Sequence, residues 1–484
     1  MQTIRTALHA SCQRYATRVA LELGEERMTY EQLMSGVSSA AQRFHCAGIT
    51  SESMVALLFE NSFAAIVGFL ALACLGSGVV PLDPILSLYE LEAIRSQTPF
   101  TTLVGSVPTV TRLGQPLPAV SVVYLDDPST AFSEESLPEV TIAPDAPFLY
   151  HFTSGTTGIP KAALHPQSSL LNGAQIYQRA YTISEMDTVF VPVPLYHSFG
   201  MIGGMMTALC SGACLVLSGR FVPTHVVATL STKCISIMLA TPLICDLMAR
   251  CALSEVPDLS SLRLCLSSGS PLSPETSGRF QQRFGVPVYS VYGCTEVGVI
   301  AARRDDQQDC PAQAIGRPMP GVQTRIIDEQ GNEVATTQSG LLLVKTPAMF
   351  RGYYRHEEAS KAVLRDGWYV TGDLASQDEH GYLFLQGRKE TFINVGGKKV
   401  NPVEVEQVLL SHPLVKEALV FGAQVGGAGE AVQAVVVLES GVAIDELVAF
   451  CRTRLAAYKV PTQLQVLPEL PKTGLGKVRR GSVQ

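Results

Sequence analysis

Residues 63–82 contain no charged side chain, and this run restricts the folds open to the chain. The run is long enough to cross a bilayer as a helix. However, the tripeptide GSG at residues 76–78 interrupts it, and Pro81 follows soon after. Because glycine and proline interrupt helices, we expect a buried helix up to Leu75, a glycine turn and a short strand at residues 79–80. The sequence therefore favours a large buried core over a membrane span.

The composition also indicates a globular protein with more than one core. The chain has 484 residues, of which 46% are hydrophobic and 16% are charged. Single cores stop growing at about 250–300 residues, so we expect two or more domains. The formal net charge is -7, and the basic cluster at residues 472–480 is too small for a nucleic-acid surface. We therefore expect no nucleic-acid partner.

The cysteines indicate a reducing compartment. The twelve cysteines include no CxxC pair and no Cys/His cluster with the spacing of metal ligands. Several lie in apolar stretches, where free cysteine behaves as a small buried hydrophobic residue. The first residues also lack an apolar core of signal-peptide length. We therefore expect a cytoplasmic protein with reduced thiols.

Most of the chain alternates short β-branched runs with longer helical patterns. Strand-like runs occur at residues 53–58, 214–217 and 263–266, and a helical pattern covers residues 274–284. Alternation of this kind predicts an α/β fold with largely parallel sheets.

The pattern changes in the last third of the sequence. Between residues 315 and 386, short apolar runs are separated by turns, which predicts antiparallel strands and a small β-barrel-like part. Beyond Arg388 we expect a helix from Pro402, a strand at residues 434–438 and a helix from Ile444. The predicted domains are a large N-terminal domain, 1–388, and a small α+β C-terminal domain, 389–484.

The strongest chemical signal is the sequence TSGTTGIPK at residues 153–161, directly after the strand-like run at residues 148–152. Glycines let the backbone approach a ligand, and hydroxyl and N–H groups can surround phosphate oxygens. Lys161 adds a compact positive charge. The spacing differs from GxxxxGK[ST], so this is not an ordinary P-loop. A flexible surface turn is the alternative interpretation.

These residues resemble the phosphate loop of the adenylate-forming superfamily, which contains acyl-CoA synthetases, stand-alone adenylation enzymes and beetle luciferases. The resemblance extends along nearly the whole chain, in the order of the family's motifs. In that family the loop holds the β- and γ-phosphates of ATP. The resemblance therefore implies ATP contacts from Thr153, Ser154, Gly155, Thr156, Thr157 and Lys161.

Two further segments resemble nucleotide-binding elements of the family. In the sequence YGCTE, which begins at Tyr292, Thr295 would contact the α-phosphate and Glu296 would help to hold Mg²⁺. Hard cations favour carboxylate and phosphate oxygens. Ser268 and Gly269 resemble the segment that lines the adenine pocket. An ordinary surface carboxylate and a plain strand-to-helix turn are the alternative interpretations.

The ribose contacts and the hinge follow from later motifs. Asp373 resembles the aspartate that binds both ribose hydroxyls in the family. A carboxylate suits this role because it readily accepts two hydrogen bonds. Arg388 would be the second ribose contact. The family often carries aspartate or lysine at the hinge, whereas this chain has Glu390 there. A solvated turn is the alternative for Asp373.

Near its end the chain carries PKTGLGK, which resembles the family's C-terminal lysine motif, with Lys477 as the matching residue. During adenylation a carboxylate attacks the α-phosphorus and pyrophosphate leaves, so a positioned cation stabilises the transition state. The resemblance also implies a mobile C-terminal domain that rotates before thiol transfer. Gly396 and Gly397 would then border the channel for coenzyme A. A solvated lysine is the alternative.

The segment PLYHSFG, residues 194–200, resembles the border of the acyl pocket. It contains His197, and no aspartate follows to bind the ammonium group of an amino acid. The other residues expected in the pocket are glycine or have apolar side chains, which favours an uncharged acyl chain or aromatic ring over a dicarboxylate. They are Met201, Gly204, Leu239 and Val297. A packed histidine without a catalytic role is the alternative for His197.

Together these motifs predict an ATP- and Mg²⁺-dependent enzyme that converts a small carboxylic acid to its acyl-adenylate and transfers the acyl group to coenzyme A. Three alternatives remain open at this point. An acyl carrier protein's phosphopantetheine could replace coenzyme A, the chain could be a non-catalytic nucleotide-binding protein, or it could act as an oxygenase like luciferase. Lys477, Glu296 and Asp373 are all present, which argues against the non-catalytic alternative.

Overall fold

The structure, a computed structural model, describes residues 2–114, 117–126, 137–153, 161–219, 221–253, 255, 257–304, 307, 309–388, 393–395, 398–424, 430–439, 441, 443–472 and 478. In chain order its helices are α1 Ile4–Arg14, α2 Tyr30–Cys46, α3 Phe63–Leu75, α4 Leu88–Gln97, α5 Val107–Arg112, α6 Gln167–Tyr181, a π-helix Phe199–Met206, α7 Thr207–Ser211, α8 Pro223–Thr232, α9 Pro242–Arg250, α10 Pro274–Phe284, α11 Glu357–Val363, α12 Pro402–Leu410, α13 Ile444–Arg452 and a 3₁₀ turn Ala457–Lys459.

In chain order its strands are β1 Val19–Leu23, β2 Glu26–Thr29, β3 Met54–Leu58, β4 Gly78–Leu82, β5 Thr102–Gly105, β6 Ser121–Tyr124, β7 Pro147–Thr153, β8 Lys161–Pro166, β9 Thr188–Val191, β10 Cys214–Leu217, β11 Ile237–Ala240, β12 Leu264–Ser267, β13 Val288–Cys294, β14 Gly298–Ala302, β15 Arg317–Pro318, β16 Gln323–Ile327, β17 Gly340–Lys345, β18 Leu364–Arg365, β19 Trp368–Gln377, β20 Leu383–Arg388, β21 Ile393–Val395, β22 Lys398–Val400, β23 Val415–Gln424, β24 Glu430–Leu438 and β25 Gln463–Val466.

The uncharged run at residues 63–82 folds as the sequence predicts. Helix α3 begins after Ser62, whose side chain accepts a hydrogen bond from the Ala65 N–H, and it ends at Gly76 with φ 73°. Strand β4 then pairs in parallel with β3. Since α3 is apolar around nearly its whole circumference, it can be stable only when buried. Among the described residues, no helix is both long and apolar enough to cross a membrane.

Two sheets with mainly parallel strands position the candidate site. The smaller sheet has the order β6-β5-β3-β4-β7-β8, and the larger one includes β14-β13-β12-β11-β9-β10-β1-β2. The pairs from β13 to β1 are parallel, and the edge pairs β7–β8, β13–β14 and β1–β2 are antiparallel. In parallel sheets, ligands bind beyond the carboxyl ends of the strands. The segments that follow β9, β12 and β13 therefore mark the edge where a site is expected, and the predicted α/β fold is confirmed.

The chain divides into two compact units. The first comprises Met1–Gln308, Pro318–Gln323 and Lys345–Tyr369; the second comprises Asp309–Arg317, Thr324–Val344 and Val370–Gln484. The second unit thus contains all of β20, the greater part of each of the strands β16, β17 and β19, and the C-terminal α+β part. The predicted domain boundary after residue 388 stays a prediction.

The C-terminal α+β part has its own core. Strands β23, β24 and β25 form one sheet, with β23 and β24 antiparallel and β24 and β25 parallel. Val405 and Leu409 of α12 and Leu447 of α13 are completely buried in a cluster with Val420 and Val436 of the sheet. The predicted helices from Pro402 and Ile444 and the predicted strand at residues 434–438 are confirmed.

Candidate active site

The β7–β8 hairpin carries the two ends of the predicted phosphate loop. Thr153, the last residue of β7, pairs with Lys161, the first residue of β8, and its Oγ1 donates a hydrogen bond to the Lys161 carbonyl at 3.4 Å. The Lys161 ammonium lies 5.5 Å from the centre of the Tyr353 ring, as in a cation–π interaction. The loop between them, with Ser154, Gly155, Thr156 and Thr157, lies outside the described residues.

A second hairpin, formed by β13 and β14, positions Thr295 and Glu296 at its turn. A Cβ atom at Gly293 would lie 2.3 Å from the Gly298 carbonyl oxygen, so only glycine allows the two backbones to approach this closely. Glu296 is only 7% exposed, and its backbone carbonyl accepts a hydrogen bond from the Phe350 N–H at 2.7 Å. Its Oε1 accepts a hydrogen bond from the Tyr353 hydroxyl at 2.8 Å.

The Glu296 carboxylate fits the predicted magnesium ligand. Among the described residues, no lysine, arginine or histidine lies within ion-pair distance of it. A buried carboxylate without a cation is costly, and buried charges are normally paired or bound to metal. In the described part of the chain no group of three metal-ligating side chains occurs. Mg²⁺ typically takes one or two carboxylates together with substrate phosphates, and Glu296 supplies one such carboxylate.

The predicted adenine segment lies at the carboxyl ends of β11, β12 and β13. The Ser268 N–H donates to the Ala240 carbonyl at 3.2 Å, and the Ser268 hydroxyl donates to the Val291 carbonyl at 2.8 Å. Ser268 therefore links the end of β11 to β13, through its backbone and its side chain respectively. Gly269 has φ +97°, which favours glycine, and follows directly. Tyr292 lies in β13, on the strand next to this segment.

In the second unit, the structure brings the two predicted ribose contacts together. Asp373 and Arg388 are direct partners in the antiparallel β19–β20 pair, and Arg388 Nε donates to Asp373 Oδ1 at 2.9 Å. Gly372 has φ +76°, and the Asp373 N–H donates to the Thr371 hydroxyl at 3.0 Å. Thr371 in turn donates to the Leu342 carbonyl at 2.8 Å, which anchors the turn in β17.

The acyl segment is anchored to the ends of neighbouring strands. Asn61, which follows β3, accepts a hydrogen bond from the Leu195 N–H at 2.9 Å and donates to the Val193 carbonyl at 3.1 Å. The Tyr196 hydroxyl donates to Asp83, just after β4, at 2.8 Å. These contacts fix the backbone on both sides of Pro194 and thereby position His197.

The side chains predicted for the acyl pocket are mostly buried. Met201, Leu239 and Val297 are at most 1% exposed, and the π-helix that contains Met201 packs between α6, β9 and β11. Gly204 faces Val191, because a Cβ atom there would lie 2.6 Å from Val191 Cγ2. Burial lowers the pKa of His197 to about 4, so its imidazole is neutral at physiological pH.

Two residues near the site were not found by sequence reasoning. His151 of β7 is 4% exposed and hydrogen-bonds to the backbone of Tyr196, and its burial, followed by the nearby His197, lowers its pKa to about 4. Tyr353 contacts both Glu296 and Lys161. The short GYY sequence around Tyr353 carries no sign of its partners, which lie far away in the sequence.

Several predicted positions lie outside the described residues. They are the catalytic Lys477, the hinge residue Glu390 and the channel glycines Gly396 and Gly397. Their roles stay predictions.

The fold is that of an α/β protein with candidate site residues beyond the carboxyl ends of its parallel strands, and comparison with known proteins identifies the family. The profile of the AMP-binding enzyme family matches residues 8–354, and that of the AMP-binding enzyme C-terminal domain matches residues 404–477. The chain belongs to the AMP-binding, adenylate-forming enzyme family as an AMP-forming acid–thiol ligase of the acyl-CoA synthetase kind.

Individual relatives support this membership. An indoleacetate–CoA ligase from Aromatoleum aromaticum is 33% identical over 484 residues, which cover 96% of this chain and 94% of that protein. An oxalate–CoA ligase from Arabidopsis thaliana is 30% identical over 503 residues, covering 99% and 97%. The solved o-succinylbenzoate CoA synthetase of Bacillus subtilis, in complex with its acyl-adenylate intermediate, has a TM-score of 0.88 and 26% identity, covering 100% of this chain and 98% of that one.

Proposed function

We propose that this enzyme uses ATP and Mg²⁺ to convert a carboxylic acid with an uncharged, apolar acyl group to its acyl-adenylate, and then transfers the acyl group to the thiol of coenzyme A. The acid carboxylate attacks the α-phosphorus of ATP and pyrophosphate leaves. The coenzyme A thiol then attacks the acyl carbonyl, and AMP leaves as the thioester forms. The AMP-forming CoA ligase reaction is common to the named relatives, whereas their names include acids as different as indoleacetate and oxalate.

The observation that carries the choice of acid is the absence of charge in the acyl segment. The described residues 194–206 include no aspartate, glutamate, lysine or arginine, and the pKa of His197 is lowered to about 4. A second carboxylate or an ammonium group on the acid would therefore be buried there without a partner of opposite charge, which is unfavourable. An alkyl or aryl acid instead gains free energy from burial among methionine, leucine and valine side chains.

In the nucleotide site, the proposed roles are those that the resemblance to the family's motifs implies. Lys161 and the loop that begins at Thr153 bind the β- and γ-phosphates, and Thr295 contacts the α-phosphate. Glu296 binds Mg²⁺, which neutralises charge on the phosphates. Asp373 and Arg388 hold the ribose, and the predicted pocket at Ser268 and Gly269 receives the adenine ring next to Tyr292.

The second step rests on the predicted C-terminal domain. Lys477 stabilises charge during adenylation, and rotation at Glu390 then replaces its loop with the backbone at Gly396 and Gly397. Glycine at both positions leaves room for a pantetheine arm. Because a carrier protein and coenzyme A present the same arm, a carrier protein is the alternative acceptor.

Product analysis by mass spectrometry tests this proposal. The enzyme is incubated with ATP, Mg²⁺ and coenzyme A, and with separate pools of alkyl and aryl acids, dicarboxylic acids and α-amino acids. We expect acyl-CoA and AMP from the alkyl and aryl pool, and no product from an Asp373→Ala control. Turnover confined to dicarboxylic or amino acids would contradict the proposed acid class. Formation of acyl-adenylate without acyl-CoA, followed by acyl transfer to a phosphopantetheinylated carrier protein, would show that the carrier protein is the acceptor instead of coenzyme A.

A further inference from the structure

A segment between β17 and α11, residues 351–354, lies along the edge of β8. The Arg351 N–H donates to the Leu164 carbonyl at 2.7 Å, and the Leu164 N–H donates to the Gly352 carbonyl at 2.9 Å. The Tyr354 N–H donates to the Ala162 carbonyl, also at 2.9 Å. These backbone bonds lie on both sides of Tyr353. They fix its position relative to Lys161, the first residue of β8.

The Tyr353 side chain lies between two residues of the nucleotide site. Its hydroxyl donates to Glu296 Oε1 at 2.8 Å, and the Lys161 ammonium lies 5.5 Å from its ring centre. Tyr369 hydrogen-bonds to Tyr353 from the other side. The phenolic hydroxyl of a tyrosine is a hydrogen-bond donor, and here the carboxylate is its acceptor. The ring therefore links a phosphate-binding cation to a metal-binding carboxylate.

This hydrogen bond restricts the orientation of the Glu296 carboxylate. Among the described residues, the Tyr353 hydroxyl is the hydrogen-bond partner of that side chain. A carboxylate held through one oxygen presents the other oxygen in a defined direction. Groups that hydrogen-bond to metal ligands in this way orient them, and their removal typically weakens metal binding about 10- to 100-fold.

We propose that Tyr353 is a positioning residue that presets Glu296 for Mg²⁺ and places Lys161 beside the phosphates. The proposal rests on the proposed function, in which Glu296 binds the metal. It assigns separate tasks to two parts of one side chain. The hydroxyl orients the carboxylate, and the ring face holds the lysine.

The two tasks can be separated by substitution. Tyr353→Phe removes the hydroxyl and keeps the ring, so we expect Mn²⁺ to bind about 10-fold more weakly in the presence of a non-hydrolysable ATP analogue. Electron paramagnetic resonance measures the binding of Mn²⁺ directly. ATP binding without metal, measured by calorimetry in EDTA, should stay unchanged in this variant. Tyr353→Leu also removes the ring and should weaken ATP binding in EDTA as well.

Kinetics provide a second readout that a purely structural defect would not reproduce. In Tyr353→Phe the Mg²⁺ concentration for half-maximal rate should rise by the same factor as the dissociation constant of Mn²⁺. The rate at saturating Mg²⁺ should return close to that of the wild type. Tyr354→Phe is the matched control, because the Tyr354 ring packs against Tyr150 at 5.0 Å and should leave metal binding unchanged.

The outcomes separate this proposal from the proposed function. Wild-type Mn²⁺ affinity in Tyr353→Phe, together with weak affinity in Glu296→Gln, would overturn the role of Tyr353 and leave the metal site intact. Wild-type affinity in Glu296→Gln would overturn both. If Tyr353→Phe does not fold, Tyr369→Phe removes the hydrogen bond between Tyr369 and Tyr353 instead. A smaller weakening of Mn²⁺ binding in Tyr369→Phe would support the proposal, and an unchanged Mn²⁺ affinity would contradict it.

Discussion

Two buried histidines near the acyl segment are uncharged at neutral pH. His151 and His197 both have pKa values lowered to about 4, and burial is the main cause for each. A neutral imidazole can donate one hydrogen bond and accept another. His151 uses its hydrogen bond to hold the backbone of Tyr196, next to His197. Both imidazoles are therefore polar groups without a charge at neutral pH.

This burial predicts a loss of stability in mild acid. Histidine in the unfolded chain has a pKa of about 6.5, so above that pH both states are neutral and His151 contributes no pH dependence. Below about pH 6.5, His151 becomes protonated in the unfolded chain, whereas in the folded protein it stays neutral down to about pH 4. Between about pH 7.5 and about pH 5.5 this linkage should lower the free energy of unfolding by about 1 kcal/mol, measured by urea denaturation.

Substitution isolates the contribution of His151. In His151→Phe the decrease in stability between the two pH values should be smaller than in the wild type by that amount. His380→Asn serves as the control, because the His380 side chain is 68% exposed. An equal decrease in wild type and His151→Phe would show that the imidazole titrates normally in the folded protein.

At the scale of elements, the π-helix shows how closely the acyl segment is packed. A Cβ atom at Gly200 would lie 2.7 Å from the Pro194 carbonyl oxygen, and one at Gly204 would lie 2.6 Å from Val191. The π-helix therefore lies directly against the chain that leads out of β9. Short π-helical turns occur frequently at functional sites. Gly204 thus allows the close approach of the π-helix to β9.

Gly204→Ala should destabilise the protein by about 1–3 kcal/mol, since the added methyl group forces Val191 or the helix to move. Gly278→Ala is the matched control in α10, where a Cβ atom would meet nothing within 4 Å. There alanine should stabilise the helix by about 0.5–1 kcal/mol. Differential scanning calorimetry measures both changes. Equal midpoints for Gly204→Ala and wild type would mean that the contact with Val191 relaxes freely.

The elements also show what sequence patterns can predict. Helix 274–284 and the helix, turn and strand of residues 63–82 were found because apolar periodicity, caps and glycines are local signals. The family motifs predict Asp373 and Arg388 as contacts of one ribose, whereas their pairing across β19 and β20 is seen only in the structure. Tyr353 was missed because its carboxylate partner lies 57 residues away, across an edge contact that no periodicity records. Tertiary contacts of single side chains therefore set the limit of prediction here.

At the scale of the whole molecule, the residues proposed to bind the nucleotide belong to two compact units of the chain. The first contains Lys161 and Glu296, and the second contains Asp373 and Arg388. The same intermediate must serve two reactions, adenylation and thiol transfer, which need different groups near the acyl phosphate.

The proposed role of Lys477 can be tested separately in each half-reaction. Removing a positioned charge that stabilises a transition state costs about 100- to 1,000-fold in rate, so Lys477→Ala should lose adenylation by about that factor. Thioester formation from supplied acyl-adenylate should continue at the wild-type rate, because pyrophosphate is no longer present to be stabilised. Lys472→Ala is the matched control, since Lys472 forms an ion pair with Glu417 at 2.6 Å. Rapid-quench measurement of each half-reaction distinguishes the steps, and equal loss of both would assign Lys477 to folding or to general binding instead.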